Sequence, residues 1–138
     1  MITSRIKARE LAFKLLFEDT FGTYTAAEML GGLFEEEQDW KSIHENEMEY
    51  ITFIRETVKQ HRDEINGIIS DFAKGWTIDR MNRIDLAILH LALCEIIYRD
   101  DVGTGTAINE AVELAKKYSS DEGPAFINGI LGAYVRSL

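Results

Sequence analysis

The sequence predicts an all-α protein, a seven-helix fold made of two packed helical sub-bundles spanning about residues 1–75 and 76–138. Three observations carry this expectation. Apolar residues recur at helical spacing through most of the chain, no stretch alternates strictly with period two, and a single proline occurs in 138 residues. A chain of this length can bury roughly two-thirds of its unfolded surface, so it needs no covalent staple.

The first helix is read from Ala8, Leu11, Ala12, Leu15 and Leu16. Thr25-Ala26-Ala27-Glu28 has the capping-box form and opens a short second helix, which Gly31-Gly32 stops. The acidic stretch from Glu35 to Asp39 reads as a loop or a frayed helix end. Asn46 precedes a third run with Tyr50, Ile51, Ile54 and Val58 inward. Near His61 to Asp63 the pattern restarts, with Ile65, Ile68, Ile69 and Phe72 on one side, and Gly75-Trp76 breaks it. Thr77 or Asp79 is the expected cap of the next helix, which carries Ile84, Ala87, Ile88, Leu91, Ala92 and Ile96. That helix is apolar nearly all round and should lie at the centre. After the turn from Asp100 to Gly105, Thr106 is expected to cap a helix with Ile108, Ala111, Val112 and Ala115 inward. Lys116 and Lys117 suit its C-terminal dipole. Pro124 falls in the first turn of the last helix, which turns Ile127, Ile130, Leu131 and Tyr134 inward. Gly129 within that helix is locally unfavourable, and close packing on a neighbour is the expected reason.

The formal charge is -9, unevenly distributed. Arg5, Lys7, Arg9 and Lys14 face Glu10 alone in the first seventeen residues, whereas ten acids face Lys41 between Glu18 and Tyr50. An acidic total argues against general coating of DNA, although a local basic site remains open. No apolar run approaches the ~18 residues of a membrane span, and no signal peptide is evident. The lone Cys94 sits in an apolar run and reads as packing, which suits a reducing cytoplasm.

Catalytic signatures are missing from the sequence. There is no phosphate loop, no dinucleotide fingerprint, no HExxH and no cysteine pair for zinc. No cofactor is expected. His44, His61 and His90 are scattered, and His90 reads as a hydrogen-bonded core residue. Asn109-Glu110 reads as a helix-start pair rather than a catalytic one. The chain is therefore expected not to be an enzyme.

Cations near a helix N-terminus oppose the dipole, at about 0.3–1 kcal/mol each on an exposed surface. A bound phosphate would reverse that balance, meeting the side chains, the free amide N–H groups and the dipole together. Arg5 and Arg9, four apart, share one face; Lys7 joins them only if the first residues are irregular. The competing reading is that these cations pair with the acidic Glu35–Asp39 segment of the same chain.

Two blocks carry a resemblance. RIDLAILHLALCEIIY and TAINEAVELAKKYSSDEGPAFINGIL, within Arg83 to Leu131, and the opening SRIKARELAFKLLFE, with Ala8-Arg9-Glu10 at its core, are similar to the NusB family of transcription antitermination factors. Together they cover about half the chain. The resemblance implies an all-helical fold of two sub-bundles. It implies binding of the single-stranded boxA element of ribosomal RNA leader transcripts, as a complex with the ribosomal protein NusE, acting on the RNA polymerase elongation complex. No reaction is implied.

On the matching positions, the resemblance puts basic RNA contacts on Arg5, Lys7 and Arg9 and an aromatic contact on Phe17. It also puts Asp85, Glu122 and Phe126 on the same RNA surface. That mixture fits single-stranded RNA: cations hold phosphates, aromatics meet splayed bases, and carboxylates accept from base amino groups. The chain departs from the family in a sparser arginine cluster, in DDVGTGT where a proline is usual, and in Gly123-Pro124 where a polar pair is usual. The alternative is a helical adaptor whose basic end meets an acidic protein partner without RNA. A detached NusB-like head of an RNA cytosine methyltransferase is a related option.

Overall fold

The structure, a computed structural model, describes residues 5–21 and 45–138. Among these residues there are six α-helices, one 3-10 turn and no strand. The helices are α1 (Arg5–Asp19), α2 (Glu45–Gln60), α3 (Arg62–Phe72), α4 (Arg83–Tyr98), α5 (Thr104–Tyr118) and α6 (Gly123–Arg136), with the 3-10 turn at Ile78–Arg80. The all-α expectation holds. The expected helix at Thr25–Glu28 and the acidic stretch after it lie outside the described residues.

Helix α4 is the axis of the fold. Every residue from Asp85 to Cys94 is buried, and α1, α2, α3, α5 and α6 all pack on it. An apolar girdle all round a helix can be satisfied only by neighbours on every side. Each leucine or isoleucine there gains roughly 1.5–3 kcal/mol from burial, so a truncation such as Leu89→Ala, at a fully buried position, should cost about 2–5 kcal/mol. Cys94 is part of this core and its thiol is pushed up to about 12 by burial and then by the Glu95 charge, which makes it a packing residue and a poor nucleophile.

Helix α1 runs antiparallel to α4. Arg9 near its start meets Glu95 near the end of α4, and Thr20 beyond its end meets Arg83 at the start of α4. It also packs on α2, so its residues from Ala8 to Leu16 are buried apart from Glu10, which is half-buried. Helices α2 and α3 are separated only by His61, where φ is -115° and ψ 23°. Hydrogen bonds from His61 N to Thr57 O and from Ile65 N to His61 O carry the chain through this bend. The restart expected near His61 is thus a kink between two helices. Gly75 ends the following turn with φ +81°, a conformation that glycine adopts without steric cost.

Three local expectations change. The cap of α4 is Asn82, whose Oδ1 accepts from Ile84 N at 2.7 Å and Asp85 N at 3.4 Å; Thr77 only precedes the 3-10 turn, and Asp79 lies within it. Helix α5 begins at Thr104 after Gly103, two residues before the expected cap at Thr106, so Glu110 lies beyond the first turn. Gly129 is exposed, with open space where a Cβ would stand, so close packing does not explain it. The tightly packed glycine is Gly123. A Cβ there would collide with the Ser119 side chain and stand 3.3 Å from Asp85 Oδ1.

Candidate nucleic-acid interface

The antiparallel pairing of α1 and α4 creates two chemically different ends. Residues Arg5 and Phe17 are twelve positions apart on α1, which separates them by about 18 Å along the axis.

At the first end, three guanidiniums gather round the Tyr50 ring. The centroid lies 4.2 Å from Arg5, 6.0 Å from Arg9 and 5.3 Å from Arg99. Sharing a face, as four-residue spacing predicts, has turned Arg5 and Arg9 toward α2. Arg9 is only 4% exposed. Its Nε donates to both oxygens of Glu95 at 3.1 and 3.0 Å, its Nη2 donates at 2.9 Å, and Tyr50 Oη donates to the same carboxylate at 2.8 Å. Burial alone would lower the Arg9 pKa; the hydrogen bonds and charge of Glu95, then Tyr50 and Glu110, reverse this and hold the guanidinium charged. Tyr50 is pushed far up by burial and by the Glu95 charge, so it remains a donor.

Enclosed with Glu95 and Tyr50, the Arg9 guanidinium offers little surface to a phosphate. Arg5 and Lys7 differ. Arg5 donates to Glu47 at 2.7 Å and stands 3.7 Å from Asp101, yet its side chain keeps 31% of its exposure. The Lys7 side chain is 37% exposed, 3.8 Å from Glu10. The carboxylates around the cluster, Glu47, Glu49, Glu95, Asp101 and Glu110, come from α2, from α4 and the turn after it, and from α5. The acidic segment from Glu35 to Asp39 lies outside the described residues.

Lys117 and Glu10 form a further link at 2.7 Å between α5 and α1. Burial would raise the Glu10 pKa, but Lys117 and then Lys14 outweigh it and hold the carboxyl low.

The second end is an apolar, acid-rimmed cleft of about 320 Å³ lined by Trp76, Met81, Asn82, Asp85, Ser120, Glu122, Gly123 and Phe126. Three of the residues singled out from the sequence, Asp85, Glu122 and Phe126, thus converge from α4 and the start of α6. The Asn82 cap sets the first turn of α4, and Asp85 lies within that turn. Ser119 Oγ donates to Asp85 Oδ1 at 2.6 Å. Burial pushes the Asp85 carboxyl up, and the Ser119 hydrogen bond only partly opposes it. Glu122 is exposed, and Phe126 is half-buried against the core. The lining holds two carboxylates and no cation, so its chemistry suits hydrogen-bond donors on a flat apolar group and disfavours phosphate.

Phe17 lies beside this end rather than in the cleft. Its ring meets Phe21 edge-on at 5.1 Å, the Arg83 guanidinium lies 4.7 Å over Phe21, and Arg83 Nη1 donates to Thr20 O at 2.6 Å. The polar contacts of Tyr50, Arg99, Ser119 and Arg83 escaped the sequence reading because they depend on partners far along the chain. Trp76 left a usable signal, a large aromatic in a loop outside any apolar period.

His90 is part of the core, not a ligand: its Nε2 is 2.7 Å from Asn66 Oδ1, and burial, then the Arg62 charge, depresses its pKa to about 4. Among the described residues no cluster could hold a metal ion, and no helix is long and apolar enough to cross a membrane.

The chain is similar along nearly its full length to known proteins. The NusB family model matches residues 6–136. Transcription antitermination protein NusB of Acetivibrio thermocellus is 42% identical over 132 residues, 96% of this chain and 88% of that protein. The protein of the same name from Alkaliphilus oremlandii is 43% identical over 133 residues, 96% and 93% of the two chains. Among solved structures, T. maritima NusB superposes with a TM-score of 0.84 at 26% identity, covering 99% of this chain and 93% of that one. A chain from the crystal structure of antitermination factors NusB and NusE in complex with dsRNA gives 0.80 at 25% identity, with 100% of both chains covered. Sequence kinship over almost every residue, joined to the same helical architecture, establishes that this chain belongs to the NusB family.

Proposed function

We propose that this chain is an RNA-binding transcription antitermination factor. It binds boxA-type single-stranded RNA of ribosomal RNA leader transcripts together with ribosomal protein NusE, and acts on the RNA polymerase elongation complex in the cytoplasm without catalysing a reaction. The observation that carries this reading is the match of the whole chain to NusB proteins, one of whose structural relatives is seen with NusE and double-stranded RNA.

The chemistry supports a division of labour along α1. Arg5 and Lys7 meet phosphates at one end, while Phe17, Asp85, Glu122 and Phe126 meet bases at the other. Arg9 acts from beneath, holding Tyr50 and Glu95 so that Arg5 stays at the surface. The chain works as one helical unit of two sub-bundles, about 1–75 and 76–138.

The test is a titration of labelled boxA RNA, with and without NusE, followed by fluorescence anisotropy. Binding strengthened by NusE is the expected outcome. A chain that binds NusE and ignores the RNA would be the protein adaptor instead.

A further inference from the structure

Trp76 is 53% exposed in the link between α3 and the 3-10 turn, directly after the left-handed Gly75. An indole can bury 150–250 Å², so leaving it half outside forgoes a large apolar gain. The ring is nonetheless positioned. It meets Phe126 at 6.0 Å between centroids and 72° between planes, and both rings wall the cleft that holds Asp85 and Glu122.

The occupant must suit both the apolar walls and the acidic rim. A phosphate would face two carboxylates without a lining cation. An aliphatic group would fill the walls but leave the carboxylates without donors. A planar heterocycle with N–H groups along one edge satisfies both.

We propose that Trp76 is a base-stacking residue: the cleft takes one nucleobase of single-stranded RNA, its face on the indole and its amino edge toward Asp85 and Glu122. This rests on the RNA-binding reading and deepens it by adding a contact residue and a base preference. Ser119 holds Oδ1 of Asp85, which lines the cleft, while Glu122 is exposed at the rim. Cytosine, adenine and guanine offer an exocyclic amino donor. Uracil offers a single N3–H between two carbonyl oxygens, which would face the carboxylates. The cleft therefore prefers an amino-bearing base at this position.

The sequence holds two tryptophans, Trp40 and Trp76, so Trp40→Phe leaves Trp76 as the sole indole reporter. Titration with unlabelled boxA RNA in the presence of NusE (tryptophan signal corrected for NusE alone) should quench this fluorescence along the same isotherm that anisotropy of labelled RNA gives. Trp76→Ala should weaken binding by at least about fivefold, the low end of base–aromatic stacking, with an unchanged circular dichroism spectrum; Trp76→Phe should restore most of it. Replacing amino-bearing bases one at a time, cytosine by uracil or guanine by inosine, should reveal one position whose penalty shrinks in Trp76→Ala. An anisotropy isotherm without Trp76 quenching, or Trp76→Ala binding as wild type does, would overturn the stacking role and leave the RNA-binding reading intact. Absence of any anisotropy change would remove both.

Discussion

Arg9 and Glu95, 86 residues apart in sequence, form a buried bidentate ion pair that joins the start of α1 to the end of α4. Such a pair is a poor source of net stability but a costly one to break, since losing one partner strands the other charge in the core. Arg9→Met should cost about 3–5 kcal/mol of unfolding free energy, read from urea denaturation. Tyr50→Phe, which removes one donor to the same carboxylate, should cost about 1.5–3 kcal/mol.

Arg5 and Lys7 remain partly exposed and should behave differently from Arg9. Replacing both by Ala should lower the log–log salt slope of RNA binding by about 1.4, two single-strand phosphate contacts' worth. The unfolding midpoint should move little, because exposed ion pairs contribute about 0–1 kcal/mol each. A slope equal to that of the wild type would remove phosphate binding from this end of α1.

His90 makes stability depend on pH. Its pKa is ordinarily 6.5 and is depressed to about 4 in the folded chain, so below 6.5 the unfolded chain takes up a proton that the folded chain refuses. The stabilisation is complete above that range and fades as pH falls, by about 2 kcal/mol near pH 5 and about 3 kcal/mol near pH 4. Carboxylates titrate over the same range, so the His90 share is the difference in pH dependence between the wild type and His90→Gln, whose amide can still reach Asn66.

Gly123 and Gly129, both in α6, should respond in opposite senses to alanine. Gly123→Ala forces the Ser119 side chain aside and disturbs its hydrogen bond to Asp85, so it should destabilise the fold by about 1–3 kcal/mol, the usual range for overpacking. Gly129→Ala meets open space in a helix, so it should stabilise by about 1 kcal/mol through propensity alone. Thermal melts of the two variants check both signs.

Much of the fold was legible because helical periodicity is a property of each segment on its own. The apolar girdle of α4 identified the central helix, the inert Cys94 and the buried His90, and the position of Pro124 marked the first turn of α6. Caps were less legible. Asn82 prevails over Thr77 and Asp79 because the 3-10 turn at Ile78–Arg80 uses up the chain before α4 can begin. Within α6, a linear pattern shows neither that Gly123 faces Ser119 nor that Gly129 faces open space.

By itself the sequence determined an acidic, all-helical chain whose first seventeen residues set four cations against one acid, since composition and period are read one residue at a time. Only the tertiary structure decided which of those cations reach solvent. Antiparallel contact of α1 with α4 and packing against α2 enclose Arg9 with Glu95 and Tyr50 while leaving Arg5 and Lys7 at the rim. The same contacts, with α6 closing on α4, bring Asp85, Glu122, Phe126 and Trp76 to one cleft. Burial and pairing depend on residues distant along the chain, and a pattern of neighbours does not contain them.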